Sequence, residues 1–130
     1  MLTATPDVLL VEDEAALRTL YGLFLKGAEL SVEELDHRGK FVEDLIVAIK
    51  TSLAQVLVLD GNYRDGTAVD ILRGIESSGK KSVVVTANED IMNAVSQEFP
   101  STPVFLKGSP KGDMRVICKT VHDYVRGMAA

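Results

Sequence analysis

The sequence predicts an α/β fold, a doubly wound parallel sheet with helices on both faces, and two observations carry that prediction. Short apolar runs alternate with longer amphipathic segments along the 130 residues in the order βαβαβαβαβα. This is the pattern of parallel strands joined by helical crossovers. The inner runs, such as Val56-Leu57-Val58-Leu59, carry no polar residue at alternate positions, as strands covered on both faces require.

The elements follow in order. Val8-Leu9-Leu10-Val11 reads as a buried strand that ends abruptly in Glu12-Asp13-Glu14. Residues 15–26 repeat with helical spacing, placing Leu17, Leu20, Tyr21 and Phe24 inward, and Gly27 stops them. Residues 29–36 alternate loosely as a weak strand. Residues 41–51 are helical, with Phe41, Leu45, Ala48 and Ile49 on one face. A second strong strand, 55–59, ends at Asp60, and 61–66 is turn-rich. A helix over 67–77 stops near Gly79. Strand 82–85 ends in Thr86, and helix 89–98 is closed by Pro100. Strand 103–106 ends at Lys107. The last helix, 113–126, turns Val116, Ile117, Val121 and Val125 inward.

Bulk properties bound the function. The length fits one domain, 1–130, with an ordinary soluble composition of 46% hydrophobic and 25% charged residues. The net charge of −5, with no Lys/Arg cluster beyond Lys80-Lys81, argues against direct nucleic-acid binding. The apolar runs are too short for membrane insertion, and the N-terminus lacks a signal-peptide pattern. Cys118 is the only cysteine, so no internal disulfide forms and a reducing, cytoplasmic setting is expected.

In open α/β sheets, ligands bind beyond the carboxyl ends of the strands. Those ends deliver Glu12 and Asp13, then Asp60, then Thr86, then Lys107. Two carboxylates about 5 Å apart repel by roughly 3 kcal/mol at an effective dielectric near 20. Lys107 supplies one positive charge, and a hard divalent cation would supply the rest. An oxygen-only ligand set suits Mg²⁺, and the absence of clustered His or Cys argues against zinc. A metal, a lysine, a hydroxyl and a nucleophilic aspartate together form a phosphoryl-transfer set.

Four segments, Val8 to Glu14, Leu57 to Asp60, Val83 to Ala87 and Phe105 to Lys107, resemble the signature segments of response-regulator receiver domains. The resemblance spans essentially the whole chain, in order. It implies a flavodoxin-like (βα)5 fold with strand order 2-1-3-4-5. It also implies a phosphoacceptor at Asp60, and Mg²⁺ held directly by Asp13, Asp60 and the backbone carbonyl of Asn62, and through water by Glu12. Lys107 would contact the phosphoryl group, Thr86 would be the switch hydroxyl, and small Ala87 would leave room beside it. Asn62 and Asn88 match positions that tune dephosphorylation. The implied partners are a sensor histidine kinase or histidine phosphotransfer protein and a downstream effector protein or a homodimer. The implied chemistry is only the domain's own Mg²⁺-dependent phosphorylation and dephosphorylation.

Three departures from the family pattern stand out. Gly108 follows Lys107 where proline is usual, and Pro110 comes later; a cis bond before glycine would cost about 2.5–4 kcal/mol, so trans is expected. Val104 holds the usual switch-aromatic position, while Phe105 should face the other side. Asp65-Gly66 follows Asp60 early and without a proline, and Tyr63 and Arg64 in that loop are placed to cover the pocket.

Other readings compete. A degenerate receiver acting as a phosphorylation-independent protein-binding module would explain the departures. A small Mg²⁺-dependent phosphatase would need a second aspartate where Asn62 stands. A flavin protein would need a phosphate loop where Glu12-Asp13-Glu14 would repel the ligand. Thr86 could cap the following helix. His37 and His122 read as exposed polar residues away from strand ends, and Cys118 as a small core residue. The glycines form no phosphate-binding fingerprint.

Overall fold

The computed structural model describes residues 5–109 and 113–129. The five main strands are β1 (Val8–Val11), β2 (Val32–Leu35), β3 (Val56–Asp60), β6 (Lys81–Thr86) and β7 (Val104–Leu106). They pair in parallel in the order β2-β1-β3-β6-β7, which is 2-1-3-4-5 when only these strands are counted. The short strands β4 (Asn62–Tyr63) and β5 (Gly66–Thr67) form a separate antiparallel hairpin. The turn-rich stretch after Asp60 is therefore a hairpin rather than an open loop.

Alternation along the strands divides the core in two. Leu9, Val11, Leu57, Leu59 and Val84 pack under α2 (Val42–Thr51), α3 (Ala68–Ile75) and α4 (Glu89–Glu98). Val8, Leu10, Val56, Val58, Val83 and Val85 pack under α1 (Ala15–Gly27) and α5 (Met114–Ala129). Val104 lies with the first set and Phe105 with the second. The predicted split of these two neighbours is therefore what the strand adopts.

Several helix faces differ from the sequence prediction. In α1 the buried stripe is Tyr21, Gly22 and Leu25, while Leu20 and Phe24 are exposed. In α2, Leu45 and Ile49 are buried as predicted, but Phe41 is exposed and stacks beneath the Arg64 guanidinium, 4.5 Å from its ring centroid. In α5, Ile117, Cys118 and Val121 are buried, but Val116 is exposed. These helices carry more apolar residues than one face holds, and the surplus meets solvent. Among the described residues, no helix is long and apolar enough to cross a membrane.

Local signals set several element ends. Thr67 begins α3 in a reciprocal capping box, with Asp70 bonding back to the Thr67 amide. Asn88, not Thr86, caps α4, its Oδ1 accepting from the Asp90 and Ile91 amides. Gly79, past the 3-10 turn Glu76–Ser78, takes the left-handed conformation that ends the segment.

Candidate functional site

Register brings the predicted residues together. Val11 pairs with Leu59, so Glu12 and Asp60 emerge side by side from adjacent strands. Thr86 pairs with Leu106, and the Lys107 amide bonds to the Thr86 carbonyl at 2.8 Å. By alternation, Glu12, Asp60 and Lys107 share the α1/α5 side, while Asp13 and Thr86 lie on the other.

Lys107 Nζ lies 3.3 Å from Asp60 Oδ1 and 3.4 Å from Glu12 Oε1. The Gly108 departure therefore does not displace the lysine. The described residues contain no cis peptide, and Gly108 sits at φ +82°. Proline, locked near φ −65°, could not take that conformation, and glycine takes it without strain. Pro110 lies outside the described residues.

Asp60 Oδ1 also accepts from the Gly61 amide at 2.9 Å. Its other oxygen, Oδ2, is 2.9 Å from Nε2 of His37. The same nitrogen is 3.8 Å from Asp13 Oδ1. This corrects the sequence reading of His37: it is 4% exposed and stands in the pocket. It follows β2 by two residues, a strand-end position of the kind that flagged the other site residues. His122, on α5, is half-buried and away from this pocket.

The surroundings set the charge states. Burial pushes Glu12 up to about 7, and the hydrogen bond and charge of Asp60 add to this, against the pull of Lys107. Burial alone would also raise Asp60. The hydrogen bonds from His37 and Glu12, the charge of Lys107 and the Gly61 amide outweigh it and hold Asp60 below the usual carboxylate range. Burial would lower His37 and Lys107, yet the neighbouring carboxylates raise both. The pair is thus polarised, with negative charge favoured on Asp60 and the proton favoured on Glu12.

Thr86 is buried, and its Oγ1 accepts from the Asn88 amide at 3.1 Å. Its side chain lies directly against the backbone of Gly61. Asn62 is exposed and begins the hairpin two residues after Asp60. Tyr63 is buried with its ring 4.5 Å from the His37 ring, and Arg64 donates to the Gly39 carbonyl at 3.1 Å. The hairpin therefore packs on the loop that carries His37.

Ligand atoms of Glu12, Asp13, His37 and Asp60 all lie within 4.8 Å of one another. Three carboxylates at that spacing fit a divalent cation. A proton on Glu12 competes with such an ion, so affinity should be weaker below pH 7 and stronger above it. Mg²⁺ titrations between about pH 6 and pH 8 should show affinity rising up to about tenfold per unit and levelling above pH 7.

No protein-family model and no curated protein matches the sequence. Solved structures do. A signal receiver domain from Vibrio parahaemolyticus matches with a TM-score of 0.71 at 22% identity, over 97% of this chain and 96% of that one. A response-regulator receiver domain from Methanospirillum hungatei JF-1 matches at TM-score 0.74 and 16% identity, over 97% and 98%. The architecture is thus a flavodoxin-like doubly wound sheet with a carboxylate pocket at its strand ends, and its fold is that of receiver domains. A designed protein of Rossmann 2x3 fold also matches, at TM-score 0.70 and 10% identity over 97% and 94%. The fold alone therefore carries no chemistry, and function rests on the pocket.

Proposed function

We propose that the chain is a phosphoryl-accepting response regulator of a two-component His-Asp relay, switched by Mg²⁺-dependent phosphorylation of Asp60. The observation that supports it best is the placement of Asp60 beside Lys107, Glu12 and Asp13 at one sheet edge. An Asp60 oxygen attacks the phosphorus of a phosphohistidine on a sensor kinase or phosphotransfer protein. The P–N bond breaks, its electron pair stays on the donor imidazole, and that nitrogen takes up a proton. Glu12, Asp13, Asp60 and the Asn62 carbonyl would hold the Mg²⁺, which screens charge between the carboxylates and the incoming phosphoryl oxygens.

Lys107 pairs with the phosphoryl oxygens, and the Thr86 hydroxyl, which accepts from the Asn88 amide, donates its proton to one of them, drawing the segment before α4 with it. The changed surface then alters binding of an effector protein or a second copy. With Val104 at the usual aromatic position, that change travels without an aromatic rotamer on this strand.

Lys107→Met should reduce phosphoryl uptake at least about tenfold, because a charge aimed at the transferred group is lost. It should also lower stability by about 1 kcal/mol, a small value because the lysine is 30% exposed. Acetyl phosphate kinetics and urea denaturation read the two effects separately.

One observation favours a second reading, a phosphorylation-independent binding module: His37 occupies Asp60 Oδ2. Beryllofluoride with Mg²⁺ separates the two. A phosphoacceptor shows amide shifts at Asp60, Gly61 and Thr86 by NMR, whereas a module of the second kind shows none at saturating reagent.

A further inference from the structure

The imidazole of His37 is not part of an oxygen-only Mg²⁺ site, yet its side chain is 5% exposed against 30% for Lys107, the other cationic side chain at Asp60. Its Nε2, the atom that faces Asp60 and Asp13, is 2.9 Å and 3.8 Å from their nearest oxygens. Ligands about 2.1 Å from an octahedral ion are about 3.0 Å apart when adjacent and about 4.2 Å when opposite, and those of a tetrahedral ion are about 3.4 Å apart. The four-residue set, spread over at most 4.8 Å, closes onto an ion with a contraction of roughly half an ångström.

The residues around His37 hold it in place. Arg38 Nη2 donates to the Asp13 carbonyl at 2.9 Å, tying the His37 loop to the end of β1. The Lys40 amide donates to the His37 carbonyl at 3.0 Å, and the Val42 amide donates to Asp65 Oδ1 at 2.7 Å. Fixed ligands of this kind favour a defined coordination geometry.

Tyr63 is buried beside His37, its ring 4.5 Å from the His37 ring, which limits rotation of the imidazole away from Asp60.

We propose that His37 is a direct ligand at this pocket, making it a mixed oxygen–nitrogen centre that prefers a first-row transition ion of the Mn²⁺ or Zn²⁺ type to Mg²⁺. Imidazole binds such ions well, whereas Mg²⁺ favours oxygen and gives up water reluctantly. The inference rests on the reading that this cluster takes a divalent cation, but not on phosphoryl transfer. Entry of the ion between Nε2 and Asp60 Oδ2 would break their direct contact.

Electron spin-echo spectroscopy of the full chain with Mn²⁺ is the test. The unmodified protein should show the nitrogen coupling of one bound imidazole, and both His37→Ala and His37→Gln should lose it. The glutamine variant keeps a polar partner for Asp60 should alanine unfold the protein. Zn²⁺ affinity should fall at least about tenfold in both variants, with Mg²⁺ affinity changed less than about threefold. Bound Mn²⁺ without nitrogen coupling, or equal losses for Zn²⁺ and Mg²⁺, overturns the ligand assignment and leaves the Mg²⁺-dependent phosphoacceptor standing. Failure of the unmodified protein to bind any of the three ions overturns both.

Discussion

Gly61→Ala should destabilise the protein by about 3 kcal/mol, lowering its melting temperature by roughly 10 °C. A Cβ at position 61 would lie 2.2 Å from Thr86 Oγ1 and 2.5 Å from Thr86 Cβ. Neither is the tip of a flexible chain: threonine is stiff at χ1, and Thr86 is buried at the end of β6. Either β3 or β6 must therefore shift where they carry Asp60 and Thr86. Thr86→Gly in the Gly61→Ala background should recover part of the loss, giving a favourable coupling in a double-mutant cycle. The same close contact links the positions of Asp60 and Thr86 through the Gly61 backbone.

Glu12→Gln should separate stability from function. Glu12 is 3% exposed and its pKa is raised to about 7 from an ordinary 4.5. Between those values the folded chain binds more protons than the unfolded one, so this group's contribution to stability falls as pH rises through the window. Asp60 is shifted the other way: its contribution is present above its ordinary 3.8 and is lost as pH falls. A neutral amide at position 12 removes the burden of a buried charge. At pH 8 the metal-free variant should be more stable by about 1–2 kcal/mol, and its stability should vary less with pH between about 5 and 8. Its divalent affinity should fall more than about tenfold, because an amide brings no charge. Urea melts and metal titrations on the two proteins measure both signs.

Much of this architecture is legible in the sequence, for identifiable physical reasons. Strands buried on both faces appear as unbroken apolar runs, so β1, β3 and β6 and the residues at their ends can be placed directly. Glu12, Asp13, Asp60 and Lys107 come together as that pattern predicts. The edge strand β2 is different. Only Val32 and Leu35 are half-buried, and Glu33 and Glu34 are exposed, so its apolar signal is weak. His37 was missed for that reason, although applying the strand-end rule to this weak strand would have found it. The close approach of Gly61 to Thr86 has no sequence signal, since glycine after an aspartate reads equally as a turn. The helix faces were misread where surplus apolar residues, such as Phe24 and Val116, gave two plausible stripes.

The most direct measurement is chemical mapping of the phosphoryl group. The full chain is incubated with acetyl phosphate and Mg²⁺, reduced with borohydride, digested and analysed by mass spectrometry. Phosphorylation at Asp60 predicts conversion of position 60 alone to homoserine, dependent on Mg²⁺ and absent in Asp60→Asn. Modification at another carboxylate, or none at all with this donor or a cognate kinase, would contradict Asp60 as the phosphoacceptor.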